Sequence, residues 1–140
     1  MTIRDGKVDI GHGLIVGPGF TESEFLGSPS GMAANVLIKN GVHHSYKLQN
    51  TEVVGKNFVP LLYFSTGVLT QIQLHPVAEV NESWSAYSPS SETAKKFAND
   101  SWLTKTLGEA PPYSFDWGMI ESVFDANGGM TFVIFRYLKI

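Results

Sequence analysis

The sequence predicts an α+β fold: an antiparallel sheet built from hairpins, with one short and one longer helix packed on it. Three observations carry this prediction. Short apolar segments are separated by glycine-rich turn signals such as Gly11-His12-Gly13, Asn40-Gly41 and Asn127-Gly128-Gly129, which is hairpin chemistry. Helix start and stop signals occur at two places only, with runs of strands around them, which argues against a doubly wound sheet. Charged residues make up 16% of the chain, against about 25% in a typical globular protein, and aromatics 12%, a balance suited to a packed sheet. At 140 residues the chain reads as one domain, 1–140, long enough to hold a core without disulfides or metals.

The elements follow in order. Residues 7–10 and 14–16 are short apolar strands around the first glycine turn. Thr21-Glu22-Ser23-Glu24 is a capping box: the threonine oxygen accepts from the amide three residues on, and the glutamate reaches back. Phe20 and Phe25 hold the staple positions on either side of it. Gly27 and Pro29 stop this helix after one or two turns, so it must dock on a sheet to persist. Residues 34–39 and 44–48 read as strands joined at Asn40-Gly41.

The strongest hairpin is 58–64 with 68–74, turning at Ser65-Thr66-Gly67. Strict alternation puts Val68, Thr70, Ile72 and Leu74 on one face and Gln71 and Gln73 on the other. Pro60 cannot donate to a ladder, which predicts an edge strand or a bulge there. A polar, serine-rich connection over 75–91 follows. The second helix starts at Ser88-Pro89 and carries Ala94, Phe97, Ala98, Trp102, Leu103 and Leu107 as its apolar stripe. Gly108 is its C-terminal glycine, and Pro111-Pro112 forbid continuation. The final hairpin pairs 117–124 with 130–137. Both faces of its last strand are apolar, which predicts a central strand.

Chemistry is sparse. The chain has no cysteine, so disulfides, thiolate metal sites and a cysteine nucleophile are excluded. Its four histidines show no metal-ligand spacing, and no metal or other cofactor is expected. The nucleophile elbow Gly-x-Ser-x-Gly and both phosphate-loop glycine patterns are absent. Net charge is −3 with no basic block, which does not favour nucleic acid. No signal peptide is visible and the apolar runs are far shorter than the roughly 20 residues of a membrane helix, so a cytoplasmic protein without membrane contact is expected. A deep pocket holding Asp116, Glu121 or His44 would point to a small-molecule or enzymatic site.

Over residues 88–138, the series Trp102-Leu103, Leu107-Gly108, Pro112-Tyr113, Trp117-Gly118, Ser122-Val123-Phe124-Asp125, Gly128-Gly129, Ile134 and Tyr137 resembles the C-terminal half of small bacterial proteins of the immunity-protein type, which are encoded beside secreted toxins. The motifs that carry this resemblance are caps, turns and core aromatics. It implies a shared fold and a protein that neutralises a toxin domain by direct binding, with no catalytic residue to carry over. A non-enzymatic binder of this kind is the expected function. Its partner-binding residues are expected in the polar connection: Trp84 and Tyr87 as aromatic anchors, Glu79 and Glu82 as acidic groups steering a basic partner. The alternatives are a small-molecule-binding or enzymatic domain with a pocket between sheet and helix, and a structural or assembly subunit joined through a free sheet edge. Monomer and dimer both stay open.

Overall fold

In a computed structural model, which describes residues 3–11, 13–77, 89–125 and 130–138, the dominant element is an antiparallel sheet of eight strands. The chain begins with a 3-10 turn at Ile3–Asp5 and a two-stranded ribbon, β1 (Val8–Asp9) with β2 (Ile15–Val16). Helices α1 (Glu22–Leu26) and α2 (Pro29–Ala33) follow, then β3 (Asn35–Asn40), β4 (His43–Lys47), β5 (Thr51–Val53), β6 (Lys56–Ser65) and β7 (Val68–Pro76). Helix α3 (Pro89–Leu107) leads into β8 (Tyr113–Phe115), β9 (Gly118–Asp125) and β10 (Met130–Tyr137). The strand order is β3-β4-β6-β7-β10-β9-β8, with β5 also pairing β6. The α+β class and the hairpin-built antiparallel sheet are as the sequence predicts. Among the described residues, no helix is long and apolar enough to cross a membrane.

The core lies on one face of the sheet. Phe58, Leu62, Ile72, Leu74, Ile120, Val133 and Phe135 line it, and Phe25 from α1, Leu103 and Leu107 from α3, and Ile3 close over them. The N-terminal turn is tied to the other end of the chain. The Trp117 indole donates to the Arg4 carbonyl at 2.7 Å, the Tyr137 hydroxyl to the Gly6 carbonyl at 2.7 Å, and the Arg4 guanidinium to the Leu107 carbonyl. The capping box forms as read: Glu24 N–H donates to Thr21 Oγ1 at 3.2 Å, and Thr21 N–H to Glu24 Oε1 at 3.4 Å. Gly108 ends α3 with φ +84°.

Four details depart from the sequence reading. Gly27 caps the end of α1 as read, but helical structure resumes at once: Ser28 caps a second helix with Pro29 at its first turn, because Ser-Pro is itself a start signal. Pro60 is not on an edge strand, since β6 is flanked on both sides. It sits where the partner of β6 changes from β4 to β5, and its carbonyl accepts from Leu48 N–H at 3.0 Å. Its missing N–H points to the same side, into the gap between those two strands, so no ladder bond is lost. On β7 the register shifts opposite Tyr63/Phe64, leaving Thr70 as an extra residue. Leu69 therefore joins Ile72 and Leu74 in the core, and Val68 is exposed.

The fourth departure is Phe97, 73% exposed. The packing face of α3 is centred on Leu103 and runs through Asn99 and Leu107, all buried. At about 100° per residue, Phe97 lies roughly 120° around the helix from Leu103. Asn99 occupies the face instead and accepts a 3.0 Å hydrogen bond from Lys56. β10 is central, as expected, with Val133 and Phe135 in the core and Ile134 buried on the opposite face.

Candidate functional site

The most unusual surface is the first edge of the sheet. Every residue of β3 is exposed, although its middle is Val36-Leu37-Ile38. Met32, Val36, Leu37, Ile38 and Val42 are between 45% and 78% exposed. Among the described residues β3 pairs with β4 alone, so its other side presents backbone groups without a ladder partner there, beside an apolar strip. Between Val36 and Ile38 the register shifts and Leu37 has no partner on β4. Lys39 is the only charge on the strand. The Gly41-Val42 turn, with Gly41 at φ +60°, sends the chain back into β4.

A polar strut holds this hairpin to the body. His44 Nδ1 lies 2.7 Å from Glu22 Oε2, and the Tyr46 hydroxyl donates to the same oxygen. His44 Nε2 faces the Gly41 carbonyl at 3.1 Å. Both ring nitrogens thus face oxygen atoms of the protein. Burial alone would push the Glu22 carboxyl up, but the hydrogen bonds from Tyr46 and His44 and the charges of His44 and Lys39 outweigh it and hold Glu22 below its ordinary value. Burial, together with Glu22, pushes Tyr46 up to about 12. The cluster joins α1 to β4 and is a structural tie.

On the face opposite the core, His75 packs on Phe132 with ring centroids 4.9 Å apart, and its Nε2 lies 2.9 Å from Gln73 Oε1. Burial pushes this imidazole down to about 4, and the charge of Lys47 adds to the effect. A histidine held neutral in the fold contributes stability above its ordinary 6.5, and that contribution is lost as pH falls from 6.5 toward 4. Glu22, held low, contributes above 4.5, and its contribution is lost as pH falls further. Acidification is therefore expected to lower the urea midpoint in two stages. His75→Gln flattens the upper one, worth about 2 kcal/mol after allowing for partial exposure. Glu22→Gln flattens the lower one and costs about 1–2 kcal/mol at neutral pH. An equally steep fall between the two pH values in His75→Gln would place the acid sensitivity elsewhere.

Two hollows deserve a chemical reading. One of about 280 Å³ is lined by Ile10, Ser30, Leu48, Asn50 and Thr51, and the buried Ser30 hydroxyl has no partner. The other, about 410 Å³, lies between α3 and β9 and includes Lys96, Asp100, Thr104, Glu121 and Ser122. Lys96 Nζ lies 2.9 Å from Asp100 Oδ2, while Asp100 Oδ1 and the Ser122 hydroxyl are buried without partners. Both hollows carry polar groups in a partly apolar lining and are large enough for ordered water. Neither brings a histidine to its serine or carboxylate. Among the described residues, no group of three or more His, Cys, Asp or Glu side chains is placed to hold a metal ion.

The four residues expected to bind a partner, Glu79, Glu82, Trp84 and Tyr87, lie outside the described residues. Asp116 is exposed in the β8–β9 turn, Glu121 lines the larger hollow, and His44 is committed to Glu22. These three are not brought into one pocket. The edge strip on β3 was not among the expected sites; its available signal was a Val-Leu-Ile run without alternation, next to a turn. No family model, no curated protein and no solved structure matches the chain.

Proposed function

We propose that this chain is a non-enzymatic protein-binding domain that docks through the free edge of β3. One observation carries the reading: five large apolar side chains stand in solvent beside an unpaired strand edge. Edges of this kind are ordinarily blunted by charge, proline or cover, and a long apolar one is retained where a strand is to be added. Covering these half-exposed side chains contributes about 1 kcal/mol each, to which main-chain hydrogen bonds add register. In its most concrete form the domain is a cytoplasmic immunity protein that neutralises a cognate toxin by direct binding, a form supported by the resemblance over residues 88–138.

The test is capture of the product of the adjacent gene by co-expression, followed by an affinity measurement on the purified pair. Ile38→Lys is expected to weaken the complex by about 30-fold. Its melting temperature should stay near that of the wild type, because Ile38 is a surface residue. Undiminished affinity in Ile38→Lys, with loss in Trp84→Ala, would move the docking surface into the polar connection and overturn the β3 reading.

A further inference from the structure

We infer that Asn40 is a self-modification site, its side-chain amide converted to aspartate and isoaspartate by attack of the Gly41 backbone nitrogen. This stands apart from any use of the β3 edge and rests on three features of the β3–β4 turn. Asn40, Gly41 and Val42 are all exposed, so solvent base and water reach the reacting atoms. Neither the Asn40 side-chain amide nor the Gly41 N–H has a hydrogen-bond partner among the described residues, so no bond to either reacting group has to be broken first. The space beside Gly41 is open: a Cβ built there would meet nothing within 4 Å, and glycine itself carries no side chain to crowd its nitrogen. Ring closure requires Asn40 to rotate out of its strand conformation. It is the last residue of β3, so only the terminal Asn40↔His43 pair has to open.

The reaction balances with water alone. The Gly41 nitrogen gives its proton to solvent base and bonds to Asn40 Cγ, the side-chain nitrogen leaves as ammonia, and a cyclic succinimide forms. Water then opens the ring. Cleavage at Cγ leaves aspartate on the original main chain. Cleavage at the main-chain carbonyl leaves isoaspartate, whose main chain runs through Cβ and Cγ and is one carbon longer. Asn35 is the comparison within the same strand: it is exposed too, but the β-branched Val36 follows it and crowds the attacking nitrogen. Asn50, Asn57 and Asn99 likewise precede residues with side chains, Thr51, Phe58 and Asp100. Asn127-Gly128 repeats the reactive pair but lies outside the described residues. Either product at position 40 sets a carboxylate beside Lys39, the only charge on β3, and isoaspartate also displaces the pair with His43. The tip of the hairpin that carries the apolar strip therefore changes charge as the chain ages.

The test is incubation of the folded full-length chain in mildly alkaline water enriched in heavy oxygen, followed by tryptic digestion in ordinary water and mass spectrometry. Cleavage after Lys39 puts Asn35 and Asn40 in separate peptides. Position 40 is expected to take up heavy oxygen at least about tenfold faster than position 35, with isoaspartate among its products. Asn40→Gln is expected to abolish uptake in that peptide, because the longer side chain has to close a larger ring, and its melting curve should match the wild type's. Asn127-Gly128 falls in another peptide and reports that the conditions drive the chemistry. Uptake at position 40 no faster than at position 35, labelling there only after unfolding in urea, or undiminished uptake in Asn40→Gln would each overturn the inference.

Discussion

Gly31→Ala is expected to destabilise the protein by about 3 kcal/mol or more, measured by urea unfolding at equilibrium. A methyl group on Gly31 would stand 1.8 Å from the Phe25 carbonyl oxygen and 2.6 Å from its carbonyl carbon. Both are backbone atoms, so the clash cannot be relieved by turning a side chain. The carbonyl is also held in place, because it accepts from Ser28 N–H at 3.0 Å and from the Ser28 hydroxyl at 2.6 Å. Relief requires the α1–α2 corner to open, and Phe25, fully buried at its hinge, would leave the core with it. Gly27→Ala is the control. Gly27 has φ −81° and its nearest neighbour would be 3.4 Å away, so it is expected to stay within about 1 kcal/mol of the wild type. A Gly31→Ala protein as stable as Gly27→Ala would show that the corner yields easily.

That corner also marks how far local signals reach. The capping box at Thr21 is contained within four residues and forms as read, because a cap needs nothing from elsewhere in the chain. The hairpins at Asn40-Gly41 and Ser65-Thr66-Gly67 are legible for the same reason. The place of Pro60 is not legible locally, because the interruption that accommodates it, the passage from β4 to β5, involves residues some ten positions earlier. Phe97 stays in solvent because the face of a helix is chosen by the sheet beneath it, and that sheet accepts the Asn99–Lys56 hydrogen bond in place of a phenyl ring.

The candidate site illustrates the limit most clearly. Val36-Leu37-Ile38 has the composition of a buried strand, and its position at the edge depends on the strand order of the whole sheet. Nothing within the segment reports that order. The Glu22–His44–Tyr46 tie is equally non-local, since it joins residues more than twenty positions apart. By contrast, no periodic pattern claims the aromatics of the polar connection, and the absence of a pattern does not say what a side chain touches.

The hairpin bearing the edge depends on a core cluster beneath it, and Phe64→Ala is expected to cost about 3–5 kcal/mol. Phe64 is almost fully buried, with ring centroids 5.6 Å from Phe25, 5.9 Å from Tyr46 and 6.3 Å from Phe20. Its removal takes away apolar contact and three aromatic pairings at once. The cavity opens under Tyr46, whose hydroxyl bonds to Glu22 and helps hold β4 to α1. Among the described residues β3 has no neighbour in the sheet but β4, so slack in β4 passes directly to that edge. Phe64→Ala should therefore lose both melting temperature and binding at the β3 edge, whereas Ile38→Lys should lose binding with its melting temperature intact. A Phe64→Ala protein that is destabilised but still binds its partner with undiminished affinity would show that the edge is held independently of the aromatic cluster, and the support of β3 would then have to come from the β4 ladder alone.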